Sequence, residues 1–341
     1  MSWNDVKLDQ VILFKNGKKR PIGTGKFPVY GGNGILGYAN SPNNRNCVIV
    51  GRVGAYCGSV YYEDGDCWVS DNAICALPKG ENDIIFLYYL LKSLELNKRH
   101  IGTSQPLLTQ EILNSIVCKI PAKDTQFKIG RLLRTLDEKI AVNQKINDNL
   151  QQQAQAIYSS MFIDNPNPAW KHGHLSDLIT VKYGKDHKKL ADGIYPVYGS
   201  GGIMRYAERP LYNKESVLIP RKGTLNNVIY VNQPFWSVDT MFYTEMKIPN
   251  VAKFVYHFVK AKDLASMNAG SAVPSMTTDI LNAMEVVIPS APDLEEFESL
   301  VAPMYKAMEA NHVQSQVLSR MRDTLLPKLM SGEMDVSAVQ L

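Results

Sequence analysis

Pro28-Val29-Tyr30-Gly31 recurs as Pro196-Val197-Tyr198-Gly199, 168 residues further along the chain. The same offset carries Ile35 to Ile203, Tyr38 to Tyr206, Ala39 to Ala207, Trp68 to Trp236 and Asp71 to Asp239. It also carries Gly102 to Gly270, Pro106 to Pro274, Thr109 to Thr277, Ile112 to Ile280 and Pro121 to Pro289. Trp3 and Leu8 match Trp170 and Leu175 at an offset of 167, and Arg52 and Gly54 match Arg221 and Gly223 at 169. Identities kept in order across whole halves of a 341-residue chain read as a tandem duplication. A duplicated chain is constrained to two copies of one architecture, which agrees with the two domains that its length already suggests.

Each half reads in two parts. The first, residues 1–120 and 165–290, is rich in Gly, Asn and Tyr and carries short β-branched runs. Cys47-Val48-Ile49-Val50 corresponds to Val217-Leu218-Ile219, and Val60-Tyr61-Tyr62 to Val228-Ile229-Tyr230-Val231. The turn clusters Gly31-Gly32-Asn33-Gly34 and Ser200-Gly201-Gly202 punctuate them. One helical stretch follows in each half, over residues 84–96 and 251–264. The pattern predicts two α+β domains with β-rich cores, in which Tyr30 and Tyr198 are core aromatics.

The second part, residues 121–164 and 291–341, predicts a long helix. Ile129, Leu133, Leu136, Ile140, Asn143, Asn147, Leu150, Ala154, Ile157 and Met161 follow spacings of four and three, a heptad seam. Their counterparts are Phe297, Val301, Met304, Met308, Asn311, Ser315, Leu318, Arg322, Leu325 and Leu329. Each seam is apolar at its ends and polar in the middle. Pro166 and Pro168 close the first helix, and Gly332 follows the second. Helices this long exceed what one small domain covers, so they are expected to pack on each other as an antiparallel coiled coil separating the domains.

Composition narrows the function classes. With 45% hydrophobic and 21% charged residues the chain is ordinary globular protein. No apolar run approaches the ~18–20 residues of a membrane span, and the first ten residues carry no signal-peptide core, which points to the cytoplasm. The net charge of +4 is unevenly spread: +3 over residues 1–120, +1 over 121–164, +4 over 165–290 and −4 over 291–341. Two mildly basic blocks suit a polyanion. Of five cysteines, Cys47, Cys75 and Cys118 correspond to Ser216, Tyr243 and Val286, and no cysteine falls in the second half. A fold that exists once without them does not need them as ligands or bridges, so small buried side chains are expected.

Catalytic signatures are missing from the sequence. Gly23-Thr24-Gly25-Lys26 lacks phosphate-loop spacing, and neither HExxH nor GxSxG occurs. His172 and His174 have no counterparts after Trp3. Asp71 and Asp239 are matched, but one isolated carboxylate offers neither a metal cluster nor an acid/base pair. A turn role is expected for both.

The openings Trp3…Leu8 and Trp170…Leu175, followed by Lys-Asn-Gly-Lys or Lys-Tyr-Gly-Lys, resemble the DNA-specificity subunits of type I restriction–modification systems. So do the PVYG segments and the helix ending Thr324-Leu325-Leu326-Pro327-Lys328-Leu329-Met330-Ser331-Gly332-Glu333. The likeness spans the chain, in the order recognition domain, helix, recognition domain, helix; the related type IIB specificity subunits share it. The resemblance implies a non-catalytic subunit binding double-stranded DNA, each recognition domain reading one half of a bipartite, asymmetric target. It further implies helices that act as spacer and as platform for two methyltransferase (modification) subunits, joined by restriction subunits or by a fused nuclease–methyltransferase. No cofactor is then bound by this chain, S-adenosylmethionine belonging to the methyltransferase. Asn165-Pro166-Asn167-Pro168 has Asn where an adenine-methyltransferase NPP motif needs its second Pro.

Reading a duplex requires cations for phosphates and amide, guanidinium or hydroxyl groups for base edges. Candidates are Lys15, Lys18, Lys19 and Arg20 before the first PVYG, and Lys182, Lys185, Lys188 and Lys189 before the second. Arg52 and Arg221, the latter with Lys222 beside it, fall in matched Arg-x-Gly turns where Gly54 and Gly223 permit close backbone approach. Ser104 and Gln105 follow Gly102, and Ser271 follows Gly270, in matched loops whose chemistry diverges. The alternative is a duplicated scaffold binding protein or glycan, which would lack the steep salt dependence of duplex binding.

Overall fold

The computed structural model describes residues 3–21, 23–102, 104–267 and 275–337. The chain forms two compact units, residues 1–145 with 311–341, and residues 146–310. Its elements run β1 (Trp3–Lys7), α1 (Leu8–Val11), β2 (Ile12–Asn16), β3 (Phe27–Gly31), β4 (Gly34–Ala39), β5 (Asn44–Gly51), β6 (Val60–Val69), β7 (Ala73–Pro78), α2 (Ile84–Ser93), α3 (Gln110–Ser115), β8 (Val117–Pro121) and α4 (Lys123–Ser159). They continue as β9 (Lys171–His174), α5 (Leu175–Leu178), β10 (Ile179–Tyr183), β11 (Asp192–Gly199), β12 (Gly202–Ala207), β13 (Ser216–Pro220), β14 (Ile229–Val231), β15 (Trp236–Ser237), β16 (Met241–Met246), α6 (Ala252–Lys260), α7 (Thr278–Asn282), β17 (Glu285–Ile288) and α8 (Ala291–Ser331).

In the first unit a six-stranded sheet runs β2-β7-β5-β6-β3-β4, and β1 pairs separately with β8. The apolar run Cys47–Val50 belongs to β5, which is flanked by β7 and β6 and buried on both faces. One face meets α2 through Phe86, Leu87 and Leu90, together with Ile129, Leu133, Leu329, Met330 and Val336. The other buries Tyr30, Cys47, Ile49, Cys67 and Cys75. All five thiols are buried and free. Asp83 caps α2, accepting from Phe86 N at 2.8 Å. The helix expected over 84–96 stops at Ser93, because Glu95 turns left-handed at φ 48° and a 3-10 turn, Leu96–Lys98, follows.

The second unit repeats this pairing with one difference. Its strands form a four-stranded sheet, β10-β16-β13-β14, a three-stranded sheet, β12-β11-β15, and the pair β17-β9. Where β6 is continuous, β14 and β15 are separated by Asn232–Phe235, and Pro234 has no N–H to give a ladder. The helix expected over 251–264 is α6 alone; beyond it Asp263 accepts from Asn226 and Ser266 and holds the chain in a turn.

Backbone bonds recur at the sequence offset. Val29 and Tyr30 pair in parallel with Trp68 and Val69, and Val197 and Tyr198 with Trp236 and Ser237. Gly17 N reaches Ala73 O at 3.0 Å, and Gly184 N reaches Met241 O at 3.0 Å. Trp68 Nε1 donates to Lys18 O at 3.2 Å, and Trp236 Nε1 to Lys185 O at 2.9 Å. A Cβ on Gly17 would lie 1.9 Å from Ser70 O, and one on Gly184 2.0 Å from Val238 O, so both sites require glycine.

The long helices are 37 and 41 residues. Every seam position named above is buried or half-buried. Within the first unit, Asn143 Nδ2 reaches Gln314 Oε1 at 2.9 Å and Ser315 Oγ at 3.1 Å, while Asp137 meets Arg322 at 2.5 Å. Rising positions on α4 therefore meet falling positions on α8. Within the second unit Asn147 Nδ2 donates to Met308 O at 3.0 Å and Tyr158 faces Phe297, in the same sense.

A polar junction ties the domain helix of each unit to both long helices. Tyr89 donates to Asp137 Oδ2 at 2.6 Å, and Asp137 Oδ1 accepts from Arg322. At the corresponding positions His257 lies between Gln155 Oε1, 2.8 Å from Nδ1, and Tyr305 OH, 2.9 Å from Nε2. Gln155 Oε1 can only accept, so Nδ1 carries the proton and Nε2 accepts from Tyr305. Burial depresses the His257 pKa to about 4. The folded state therefore holds this ring neutral while the unfolded chain protonates near 6.5.

Two outcomes follow from these junctions. Asp137→Asn removes one of the two carboxylates that Arg322 meets, Asp323 remaining, and urea unfolding of the full chain should show the first unit destabilised by about 1–3 kcal/mol, with the second unchanged. The His257 contribution is present above pH 6.5 and is lost as pH falls toward 4, about 3 kcal/mol in all. His257→Gln should flatten that acid limb in the second unit's unfolding; an unaltered limb would place the acid sensitivity elsewhere.

Candidate nucleic-acid interface

In the first unit the backbone gathers four loops at one end of the sheet. Arg52, just beyond β5, donates its N–H to Asn72 O at 2.9 Å and accepts from Leu108 N at 2.8 Å. Gly54 N reaches Pro106 O at 3.0 Å, which fastens the loop bearing Ser104 and Gln105 to the Arg52 turn. That loop is closed at its base by reciprocal bonds between Ile101 and Leu107, both 2.9 Å. Lys18 bridges Ser70, and Ser59 Oγ donates to Gly32 O at 2.5 Å, adding the β3–β4 turn. Lys18, Lys19, Ser104 and Gln105 are exposed. Arg52 is half-buried, and its Nε has no hydrogen-bond partner among the described residues. Gly54 sits at φ 75° with open space where a Cβ would be.

The second unit builds the same scaffold with different side chains. Arg221 N donates to Thr240 O at 2.8 Å and Arg221 O accepts from Met276 N at 2.9 Å, the counterparts of the Arg52 bonds. Its guanidinium, however, lies 5.4 Å over the Tyr183 ring and donates to Asp239 O at 3.3 Å. Lys222 is exposed and bridges Ser275, and Lys185 is exposed beside Ser237. Lys188 and Lys189 occupy an exposed turn in which Lys188 N donates to Asp186 at 3.1 Å, holding that carboxyl below its usual range. Ser271 lies outside the described residues, as does Thr103.

The remaining candidates fall elsewhere. Lys15 is on β2 opposite Cys75, and its counterpart Lys182 is on β10, paired with Glu245 at 3.7 Å. Both decorate a sheet face rather than the loop cluster. Arg20 reaches across β4, its Nη2 only 2.4 Å from where a Gly37 Cβ would be. At the position matching Gly37 stands Arg205, which donates to Leu190 O at 2.8 Å and Asp192 Oδ1 at 2.9 Å. A guanidinium thus lies beside this strand in each unit, delivered from a loop in one and from the strand in the other. Tyr30 and Tyr198 are buried, and Asp71 and Asp239 are exposed at turns. The sequence reading missed exposed Tyr56 and Tyr183 and an apolar strip on β4 and β12. The identities Ile35/Ile203 and Tyr38/Tyr206 pointed to the strip, but exposure is not legible in an identity.

The cluster offers cations, amides and hydroxyls on a fixed backbone, which suits hydrogen bonding to phosphates and base edges. Among the described residues no group of three or more His, Cys, Asp or Glu is placed to hold a metal ion, and no helix is long and apolar enough to cross a membrane.

The family model described as type I restriction modification DNA specificity domain matches residues 1–152 and again 167–300. The chain is similar to the type I restriction enzyme MjaIX specificity subunit of Methanocaldococcus jannaschii, 24% identical, covering 74% of this chain and 69% of that one. A putative type I specificity subunit of Mycoplasma pneumoniae is 23% identical, covering 83% and 82%. The crystal structure of the S subunit of a type I restriction–modification system from M. genitalium superposes with a TM-score of 0.71 at 20% identity, over 98% of this chain and 97% of that one.

Proposed function

Since the chain belongs to the type I restriction modification DNA specificity family, whose members are non-catalytic recognition components of restriction–modification complexes, we propose that it reads a bipartite, asymmetric duplex target. One half-site would be read by the domain of residues 1–120 and the other by that of 165–290. The observation that carries this reading is the repeated loop cluster: equivalent backbone bonds at Arg52 and Arg221, with different side-chain chemistry around them. A scaffold kept twice with altered loops is what reading two different base sequences requires. In this reading residues 121–164 and 291–341 form the spacer, an antiparallel coiled coil inherited with the duplication, whose antiparallel sense the contacts inside each unit support. The partners are double-stranded DNA, two methyltransferase subunits carrying S-adenosylmethionine, and restriction subunits or a fused nuclease–methyltransferase, in the cytoplasm. This chain's part is to bind and orient.

Arg52→Ala should cost about 1–3 kcal/mol of DNA affinity and relax specificity in one half-site only, if the guanidinium meets a base edge. Arg221→Ala should do the same in the other half-site; uniform weakening over all sequences would mark phosphate contact instead. Competition binding against duplexes scrambled in either half-site measures both. Loss of discrimination in both half-sites from one substitution would sink the bipartite assignment.

Inserting seven residues into each long helix preserves the seam and adds about 10 Å. The preferred spacer between half-sites should then grow by up to roughly three base pairs, less whatever DNA bending absorbs. Methylation mapping with the methyltransferase subunits would reveal it, and altered half-site bases would defeat the spacer model.

A further inference from the structure

Tyr305, on α8, is enclosed by rings of its own unit. Its centroid lies 4.9 Å from that of Tyr230, 6.3 Å from Tyr256 and 6.2 Å from His257, with the Lys253 ammonium 5.6 Å over its face. At the repeat offset of 168 these residues correspond to Tyr62, Tyr88, Tyr89 and Ile85 of the first unit, and Tyr305 itself corresponds to Asp137. The walls keep their geometry between the two copies. Tyr62 and Tyr88 stand 6.0 Å apart and Tyr230 and Tyr256 6.1 Å; Tyr88 and Tyr89 stand 4.8 Å apart and Tyr256 and His257 5.2 Å. Asp137 has no ring to put between them. There the first unit has a cavity of about 240 Å³ lined by Tyr62, Ile85, Tyr88, Tyr89 and Asp137, and completed on α4 by Arg134, Glu138 and Ala141.

The second unit thus shows what such walls enclose, a neutral phenol. Tyr305 is buried, and its hydroxyl donates to His257 Nε2 at 2.9 Å. At the place of His257 the first unit offers Tyr89 OH, itself donating to Asp137 Oδ2 at 2.6 Å, with the Glu138 carboxylate on the same lining. Each of these oxygens keeps a lone pair for a further donor. The lining disfavours charged alternatives. The Arg134 guanidinium already lies 5.2 Å over the Tyr62 ring, held by Glu138 at 2.6 Å and Asp64 at 3.4 Å, so a second cation would be repelled there. An aromatic carboxylate would meet Asp137 and Glu138. A cavity of about 150 Å³ is enough for a benzene ring, so the first unit has room for one ring and a small substituent.

We propose that this cavity is a binding site for a single-ring phenol. Its ring takes the place that the Tyr305 side chain fills in the second unit, packing on Tyr62 and Tyr88, and its hydroxyl donates toward Tyr89 and Asp137. Ala141, exposed on α4, leaves the mouth open to solvent. A free phenol and a tyrosyl side chain of another protein both carry this chemistry. The site belongs to the first unit alone and does not depend on the DNA reading above.

The test uses the full chain with ring-labelled tyrosine, titrated with p-cresol and followed by NMR. One molecule should bind, with a dissociation constant on the order of 1 mM, ordinary for so small a ligand. The signals of Tyr62, Tyr88 and Tyr89 should shift, and those of Tyr230 and Tyr256 should stay in place. Toluene, which lacks the donor, should bind at least fivefold more weakly. Ala141→Leu, which closes the mouth from an exposed position, and Ile85→Phe, which fills the cavity from its wall, should each weaken p-cresol at least tenfold. Tyr305→Ala should open a second site, so that two molecules bind and Tyr230 and Tyr256 now shift. Should that variant unfold by circular dichroism, the Ala141→Leu and Ile85→Phe titrations decide alone. N-acetyltyrosinamide separates the sources: affinity equal to that of p-cresol or better assigns the ring to a protein tyrosine, and binding tenfold weaker assigns it to a free phenol. No shift at tens of millimolar p-cresol overturns the proposal. So does toluene binding equally well, or undiminished affinity in both variants that fill the cavity.

Discussion

The rest of the molecule depends on the places where a domain helix meets both long helices. In the first unit that junction is ionic, Tyr89 to Asp137 to Arg322; in the second it is neutral, Gln155 to His257 to Tyr305. Positions 89 and 137 correspond to 257 and 305, so one geometry is filled twice with incompatible chemistry. Exchanging partners would leave Asp137 without Arg322 in a half-buried site, while Arg322 would keep only Asp323, a loss of about 1–3 kcal/mol. Two copies of one fold in a single chain are at risk of pairing the wrong way, and unlike junctions oppose that.

Above the junctions, constancy and variation are cleanly divided. The backbone bonds that fix Gly17, Lys18 and Arg52 return at Gly184, Lys185 and Arg221. What changes is where the cations go. Arg221 is laid over Tyr183, whereas the buried Nε of the matched Arg52 has no hydrogen-bond partner among the described residues. Arg20 fills the room left by Gly37, while Arg205 needs no such donor from a loop. Rigid strands carrying interchangeable side chains are the physical basis for altering what is read without altering how the reader folds.

Much of this was legible in the sequence because it rests on periodicity. The offset of 168 located both β-rich parts, and spacings of four and three located a seam whose positions are all buried or half-buried. What escaped depends on single backbone events. The left-handed Glu95 shortened α2, and the bulges at Leu36 and Met204 turned apolar residues outward from strands that alternation would have faced inward. Lys15 and Lys182 sit one residue or more inside their strands, which charge counting could not distinguish from the neighbouring loop. His257 gave no signal at all, since its counterpart is Tyr89 and the likeness between them is a hydrogen-bonding position rather than a residue type. Pro234 also went unread, although a residue without an N–H breaks β14 from β15 where the first unit keeps one strand.

Asn143 shows how stability and register are divided along the helices. The apolar seam residues on either side, Ile129 and Leu133 in one direction and Ala154 in the other, are fully buried and would tolerate any shift that keeps apolar against apolar. Asn143 would not. Its amide donates toward Asn311 O, Gln314 and Ser315, and a slip of one heptad would set it against Leu318 or Met304, where a buried amide goes unanswered at about 1–3 kcal/mol. Even in register its Oδ1 has no partner among the described residues, so the side chain costs stability relative to leucine. Retaining it makes sense if alignment matters more than strength. Alignment then rests on polar contacts such as this amide and the Asp137–Arg322 pair, neither of which involves the loops around Arg52 and Arg221, so those loops can diverge without shifting the helix register.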